Sequence, residues 1–365
     1  MISNLFIASL ALLLTNAAAV VPNVPLLNAA IANFSMPAIG LGTGAYSGNV
    51  VPYNAYPECW VSKGCGAMAQ EAILSWITAG GRRIDSANSY QNQVDVGIAL
   101  TTAINAGSVT RAELFVLSKV GPSNPLGYND SLTQFDTILA DLQTTYVDAL
   151  LVHWPWDSAS KGNVTNNATV SSDPLCNHNL TTYSESGCRI STWTAVVEIF
   201  KSGRALSIGV SNFNISHLEE FRAAGLPTPS LIQSPFNLYR SSTQMDLLDY
   251  CNRNGITFLG YSPFGVPDYK VFPTTGPYPL PAANALMDPV LLAIAAAHAP
   301  ATPAQVTLAW HWALGIPTNP RSMNAQHMAD NLAAYDLTLS QTEIHMLSAR
   351  PQDLCAEDAN WYECA

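Results

Sequence analysis

The feature that most constrains this chain is an alternation. From Arg83 onward, short apolar runs that read as strands alternate with longer segments of helical period. The strand-like runs are Arg83 to Ala87, Leu114 to Lys119, Ala149 to Trp154, Ala205 to Ser211, Leu231 to Pro235, Thr257 to Ser262, and a short one near Gly315 to Pro317. Helices are expected at Ala67 to Ala79, Val94 to Ala106, Leu132 to Thr144, Thr192 to Ser202, Ser216 to Ala224, Thr243 to Arg253, Pro303 to Ala313 and Ala325 to Ala334. Strands separated by helices pair in parallel, because each crossover helix returns the chain to the same end of the sheet. With Ala38 to Leu41 as the first strand the count reaches eight, which predicts an α/β fold of the TIM type, a (β/α)8 barrel. Val24 to Asn28 and Asn33 to Pro37 read as an N-terminal β-hairpin able to plug its bottom.

Polar residues at strand ends point to chemistry. Arg83-Ile84-Asp85 is a strand that carries an acid, and Tyr90 follows five residues later. A half-buried carboxylate needs a partner. Lys119 and His153 end the next two strands, and in a parallel barrel the strand ends converge on one rim. An ammonium beside a phenol favours the phenolate, and a carboxylate keeps the ammonium charged, so Tyr90 becomes a usable general acid. Singly, each of these four residues has an ordinary structural role; it is the ordered set that carries the argument.

That set resembles the catalytic tetrad of the aldo-keto reductases: Asp85, Tyr90, Lys119 and His153. The resemblance runs from about Met36 to Leu347 and includes Gly40-Leu41-Gly42-Thr43, the run from Gly203 to Phe213, Tyr261-Ser262-Pro263, and Thr302 to Val306. It implies reduction of an aldehyde or ketone by NADPH, with NADH possible, Tyr90 serving as proton donor and His153 orienting the carbonyl. It further implies that Ser211, Asn212 and Gln233 hold the nicotinamide carboxamide, that Tyr261 stacks on the ring, and that Ser262 meets the pyrophosphate. Arg321 and Ser322 occupy the place of the family's Lys-Ser pair, and Asn331 that of its adenine-contacting Asn. Three positions depart from the pattern. His327 stands for a second arginine, which weakens the case for NADPH over NADH; Gly44 stands for a pocket tryptophan that Trp60 or Trp154 could replace; Gln93 stands for a glutamate.

The remaining features set the compartment and the partners. Leu5 to Leu14 is apolar and is followed by small residues through Ala19, which reads as a signal peptide over 1–19 ahead of a single domain over 20–365. The expected location is the secretory pathway, either secreted or in the endoplasmic reticulum lumen, with no membrane contact after cleavage. Of the seven cysteines, Cys59 and Cys65, Cys176 and Cys188, and Cys355 and Cys364 lie close in sequence, as local disulfides would, leaving Cys251 as a buried apolar residue. Sequons at Asn33, Asn129, Asn163, Asn167, Asn179 and Asn214 agree with a secreted glycoprotein. A net charge of −11 without a basic run argues against nucleic acid, and no Cys/His spacing suggests a metal site. Long segments at Gly44 to Gly66, Trp156 to Ile190 and Pro263 to Pro289 fall where a barrel's catalytic rim would place substrate loops, and Trp156 to Ile190 reads equally as a glycosylated surface insertion. A secreted binding protein on a reductase scaffold, without turnover, is the competing reading. A barrel glycosidase is weaker, since it requires paired carboxylates and only Asp85 is found at the strand ends.

Overall fold

A computed structural model describes residues 21–44, 67–156, 170–240, 242–265 and 285–350. The signal segment, Trp60, Cys59 with Cys65, Cys355 with Cys364, Asn163 and Asn167 lie outside the described residues. The chain opens with an antiparallel hairpin, β1 (Asn23–Pro25) and β2 (Ser35–Pro37). A parallel sheet of eight strands follows, in chain order: β3 (Gly40–Gly42), β4 (Arg83–Asp85), β5 (Phe115–Val120), β6 (Ala149–Val152), β7 (Ile208–Ser211), β8 (Leu231–Pro235), β9 (Thr257–Tyr261) and β10 (Thr318–Asn319). A parallel bridge between Ile39 and Thr318 joins the first strand to the last and closes the barrel.

The helices are α1 (Ala67–Thr78), α2 (Gln93–Asn105), α3 (Tyr128–Asp141), α4 (Glu185–Lys201), α5 (Ile215–Ala223), α6 (Ser242–Asn254), α7 (Pro289–Ala297), α8 (Pro303–Ala313), α9 (Ala325–Ala333) and α10 (Gln341–Ser348). Two of them, α7 and α10, were not expected. Both carry start signals: Asp288 caps α7 with Pro289 at its first position, and Ser340 with Glu343 forms a capping box on α10. α4 begins seven residues before the expected Thr192, where the Ser184 side chain accepts from the Gly187 N–H. The last strand lies at Thr318–Asn319 rather than at Gly315 to Pro317. Pro317 has no N–H to give a ladder, and its carbonyl instead accepts from Gly260 N at 2.8 Å.

Alternation along the strands builds two cores. Outward-facing residues such as Ile84, Val116, Leu150, Val210 and Ile232 pack against the helices. Inward-facing Phe115, Leu117, Ala149, Leu151, Leu231 and Leu259 fill the lower barrel with Leu26 and Met36 of the hairpin region. The hairpin seals the N-terminal ends of the strands, with Ala30 N donating to Leu206 O at 2.8 Å and Phe34 stacking on Phe115 at 5.8 Å between ring centroids. Burying one such aliphatic side chain contributes about 1.5–3 kcal/mol, so this end carries stability. The long connections after β3, β6 and β9 leave from the opposite, C-terminal ends.

A disulfide joins Cys176 to Cys188, fastening the segment after β6 to the first turn of α4. Cys251 is free and buried, and burial pushes its thiol up to about 12, the behaviour of an inert apolar residue. Asn33, Asn129, Asn179 and Asn214 are all exposed. No helix among the described residues is long and apolar enough to cross a membrane.

Candidate active site

The strand register decides which side chains meet. Asp85 pairs with Leu117, so Lys119, two residues further along β5, points inward one layer higher. Its ammonium donates to Asp85 Oδ1 at 2.5 Å, to Ser86 O at 3.0 Å and to Tyr90 Oη at 3.2 Å. Lys119 is wholly buried and Asp85 nearly so. Burial pulls the Lys119 ammonium down, and the Asp85 charge and hydrogen bond oppose that pull. Tyr90 lies in a short 3-10 turn, Asn88–Tyr90, directly after β4, and its ring is half-buried with its hydroxyl over the barrel mouth.

His153 follows β6, edge-to-face with Tyr90 at 5.5 Å between ring centroids. Burial, reinforced by the neighbouring Lys119 charge, holds its imidazole well below the usual histidine range, while a contact with the Gly121 carbonyl works the other way. The ring is therefore neutral at physiological pH. Its Nδ1 sits 3.0 Å from Ser89 Oγ, a partner with no role assigned in the sequence reading. Trp154 stacks beside His153 and lies 5.3 Å from Trp156, giving the mouth an aromatic flank. Gly44 lies against the phenol, since a Cβ there would stand 3.2 Å from Tyr90 Cζ.

The residues expected to hold a cofactor divide into two sets. Asn212 donates to His153 O at 2.9 Å and to Ser211 Oγ at 3.1 Å, and accepts from Tyr261 Oη at 2.8 Å, so Ser211, Asn212 and Tyr261 form one group beside the histidine. Asn212 and Ser262 adopt φ of 64° and 50° at the ends of β7 and β9, left-handed values that cost non-glycine residues energy and collect at functional rims. Gln233 is buried, and its amide donates to Asp85 Oδ2 at 2.5 Å. Arg321 is exposed and reaches back to Gly44 O at 3.0 Å, and Ser322 bonds within the turn that enters α9. His327 is exposed on the first turn of α9, and Asn331 is buried one turn further on. Among the described residues neither is hydrogen-bonded to the strand-end group.

This donor set suits a nicotinamide dinucleotide. Hydroxyl and amide groups beside a half-buried phenol ring match a carboxamide on an aromatic ring. The exposed Arg321 guanidinium and Ser322 hydroxyl, at a helix N-terminus, match phosphate oxygens.

Of three further residues around the site, Asn319 escaped the sequence reading, and Thr43 and Gln93 were noted there only as positions of the family pattern. Asn319 donates to Asp85 Oδ2 at 2.9 Å, Thr43 Oγ1 to Asp85 O at 2.9 Å, and Gln93 Nε2 to Ser118 Oγ at 2.7 Å. The cue for Asn319 was Pro317-Thr318-Asn319-Pro320, two residues fenced by prolines in a position that needed a strand. With Lys119 and Gln233, Asn319 gives the Asp85 carboxylate three side-chain donors.

Comparison with known proteins agrees with the geometry. A family model described as "Aldo/keto reductase family" matches residues 39–350. Aldo-keto reductase family 1 member A1 of Mus musculus is 30% identical over 317 residues, 86% of each chain. The glyoxal reductase of Bacillus subtilis is 31% identical over 288 residues, covering 79% of this chain and 85% of that one. The crystal structure of a Bombyx mori aldo-keto reductase in complex with NADP superposes with a TM-score of 0.71 at 26% identity, covering 92% of this chain and 94% of the other. A buried Asp-Lys pair bonded to a tyrosine at the strand ends of a closed parallel barrel and a family match across nearly all of that barrel lead to one conclusion: the chain belongs to the aldo/keto reductase family.

Proposed function

We propose that the protein reduces an aldehyde or ketone to the alcohol with NADPH as the preferred cofactor, Tyr90 acting as general acid. The observation that carries this reading is Lys119 Nζ placed between Asp85 and Tyr90, at 2.5 and 3.2 Å, inside the barrel. When bound, the reduced nicotinamide supplies the hydride. Ser211 and Asn212 would hold its carboxamide, and Tyr261 would offer the ring face; Gln233 instead braces Asp85. Ser262, Arg321 and Ser322 would take the phosphates, and a guanidinium suits a 2′-phosphate through two parallel hydrogen bonds.

The chain's own groups handle the proton. Tyr90 passes its phenolic hydrogen to the carbonyl oxygen as negative charge develops there. Lys119 stabilises the phenolate left behind, and Asp85 anchors Lys119. His153, held neutral, presents its ring edge to the same oxygen and orients the carbonyl without adding a charge. Proton donation of this kind contributes roughly 10² to 10⁴-fold. Trp154 and Trp156 would line the entry, in keeping with a substrate that has an apolar or aromatic part.

The family supports the enzyme class and the cofactor. A location in the secretory pathway is part of the proposal; the Cys176–Cys188 disulfide supports an oxidising compartment, and the exposed sequon asparagines are compatible with glycosylation there. Titrating NADPH and NADH separately while following tryptophan fluorescence tests the cofactor. Tighter binding of NADPH is expected, since Arg321 is a permanent cation. A preference for NADH would assign the discrimination to His327, and binding of neither would remove the enzymatic reading.

A further inference from the structure

Beneath Asp85 lies a charge that this mechanism does not use. Arg83 is the other inward residue of β4, about 6.6 Å further down the strand, and it is completely buried. Its guanidinium is held by carbonyls: Nη2 donates to Ala38 O at 3.1 Å and to Thr318 O at 2.7 Å, across the seam where β3 and β10 close the barrel, and Nη1 lies 3.3 Å from Met36 Sδ. A buried cation without a carboxylate of its own is expensive. Burial pulls the guanidinium down only to about 10, so it remains charged at neutral pH.

Asn319 connects this cation to the site. Its Nδ2 donates to Asp85 Oδ2, which turns its Oδ1 away from the carboxylate. A Cβ built on Gly40 would stand 2.7 Å from Asn319 Oδ1 and 2.9 Å from Arg83 Nε. A donor and an acceptor thus border one small gap, kept open by the glycine, and both atoms are buried with no hydrogen-bond partner among the described residues. The polar groups run in one line: guanidinium, carboxamide, carboxylate, ammonium, phenol.

We propose that Arg83 and Asn319 are positioning residues for the proton donor: the buried guanidinium, coupled through the Asn319 carboxamide to Asp85, biases the Asp85–Lys119–Tyr90 group toward an ionised phenol. The charges give the reason. Arg83 and Lys119 contribute two positive charges and Asp85 one negative, so a phenolate on Tyr90 neutralises the cluster. Without Arg83, the cluster is neutral before the phenol ionises, and the phenolate is less favoured. Among the described residues no other neighbour cancels this bias. His153, against the Tyr90 ring, is neutral, and Arg321, at Gly44 O beyond that ring, is positive. Tyr335, close to Arg83, is pushed by burial up to about 12 and is neutral.

The inference rests on Tyr90 being the acid, and it is tested first without cofactor or substrate. The near-ultraviolet phenolate absorbance of each protein, minus that of its Tyr90→Phe counterpart, reports the ionisation midpoint of Tyr90 alone. Arg83→Met should raise that midpoint by about one pH unit, whereas Arg83→Lys, which keeps the charge, should leave it near the wild-type value. Asn319→Leu should raise it by a smaller amount, and Gly40→Ala, which drives a methyl group between Arg83 and Asn319, should act in the same direction. An unmoved midpoint in Arg83→Met, or the same shift in Arg83→Lys, overturns the proposal. If Arg83→Met does not fold, Asn319→Leu decides: it keeps the branched heavy-atom skeleton of the original, and an unchanged midpoint there overturns the proposal equally. In the turnover assay, the alkaline loss of reduction rate should move upward with the midpoint, because the acid keeps its proton to higher pH. Absent turnover in the wild type would reject the role of Tyr90 while leaving the midpoint shift to be judged alone.

Discussion

Two halves of one rim hold their polar groups in opposite ways. On the β4–β6 side, Asp85 and Lys119 are buried and bonded to each other, and His153 is fixed against Tyr90. On the β10–α9 side, Arg321 and His327 stand in solvent, and Arg321 donates to the Gly44 carbonyl just past the adjoining strand β3. The difference suits the two tasks proposed for them. Proton transfer depends on distances fixed before substrate arrives, and burial removes the water that would weaken the charges. Phosphate recognition can use exposed cations, because the ligand brings its own charge and orders the side chains as it binds.

The comparison breaks first at Lys119. Lys119→Met leaves the Asp85 carboxylate buried without its cation, and removing one member of a buried pair costs about 3–5 kcal/mol. We expect a clear fall in thermal midpoint together with lost turnover. A stability within error of the wild type would mean that the pair is far better solvated than its burial implies.

Acid should act on buried imidazoles in a graded way. His311 is wholly buried, with Nδ1 2.8 Å from Thr307 O and Nε2 3.0 Å from Phe236 O, and burial pulls it down to about 4. Between that value and the ordinary histidine value the unfolded chain binds the proton and the folded one does not, so stability rises with pH across this window. It should be fully present above about 6.5 and fall by about 3 kcal/mol as pH drops toward 4. His153 adds to the loss in the same direction. Denaturant midpoints recorded across this range, for the wild type and His311→Leu, measure it; equal pH dependence in both proteins would exclude His311 as a source.

Arg321→Ala should give the complementary result. Loss of a charge-assisted phosphate contact costs about 1.5–3 kcal/mol of binding, roughly 10- to 100-fold in the dissociation constant for NADPH. Stability should change by no more than about 0.5 kcal/mol, as for other exposed substitutions. A large drop in melting temperature would show that its bond to Gly44 O holds the rim together.

What could be read from the sequence divides along related lines. The barrel was legible because most of its strands are apolar runs bounded by helical period, a repeating local signal. Asp85, Lys119 and His153 were legible because each interrupts such a run near its end. Arg83 and Asn319 were not, since an inward polar residue below the rim has no local signature, and its partners lie far away in sequence: Asn319 and Asp85 are 234 residues apart. The last strand was placed too early because Thr318-Asn319 is polar and only two residues long, and its strand character comes from pairing with β9 and β3. Helices α7 and α10 were overlooked although Asp288-Pro289 and the Ser340–Glu343 capping box announced them. Proline-rich and polar surroundings obscured a period that the caps alone would have revealed.

The most direct test of the central claim is the consumption of NADPH in the presence of a small aromatic aldehyde, measured for the wild type and for Tyr90→Phe after both have been shown to bind the cofactor. The account predicts turnover by the wild type and a rate lower by roughly 10² to 10⁴-fold in the variant, with NADPH binding unchanged. Turnover by Tyr90→Phe at the wild-type rate would contradict it, and so would a wild type that binds NADPH but never consumes it.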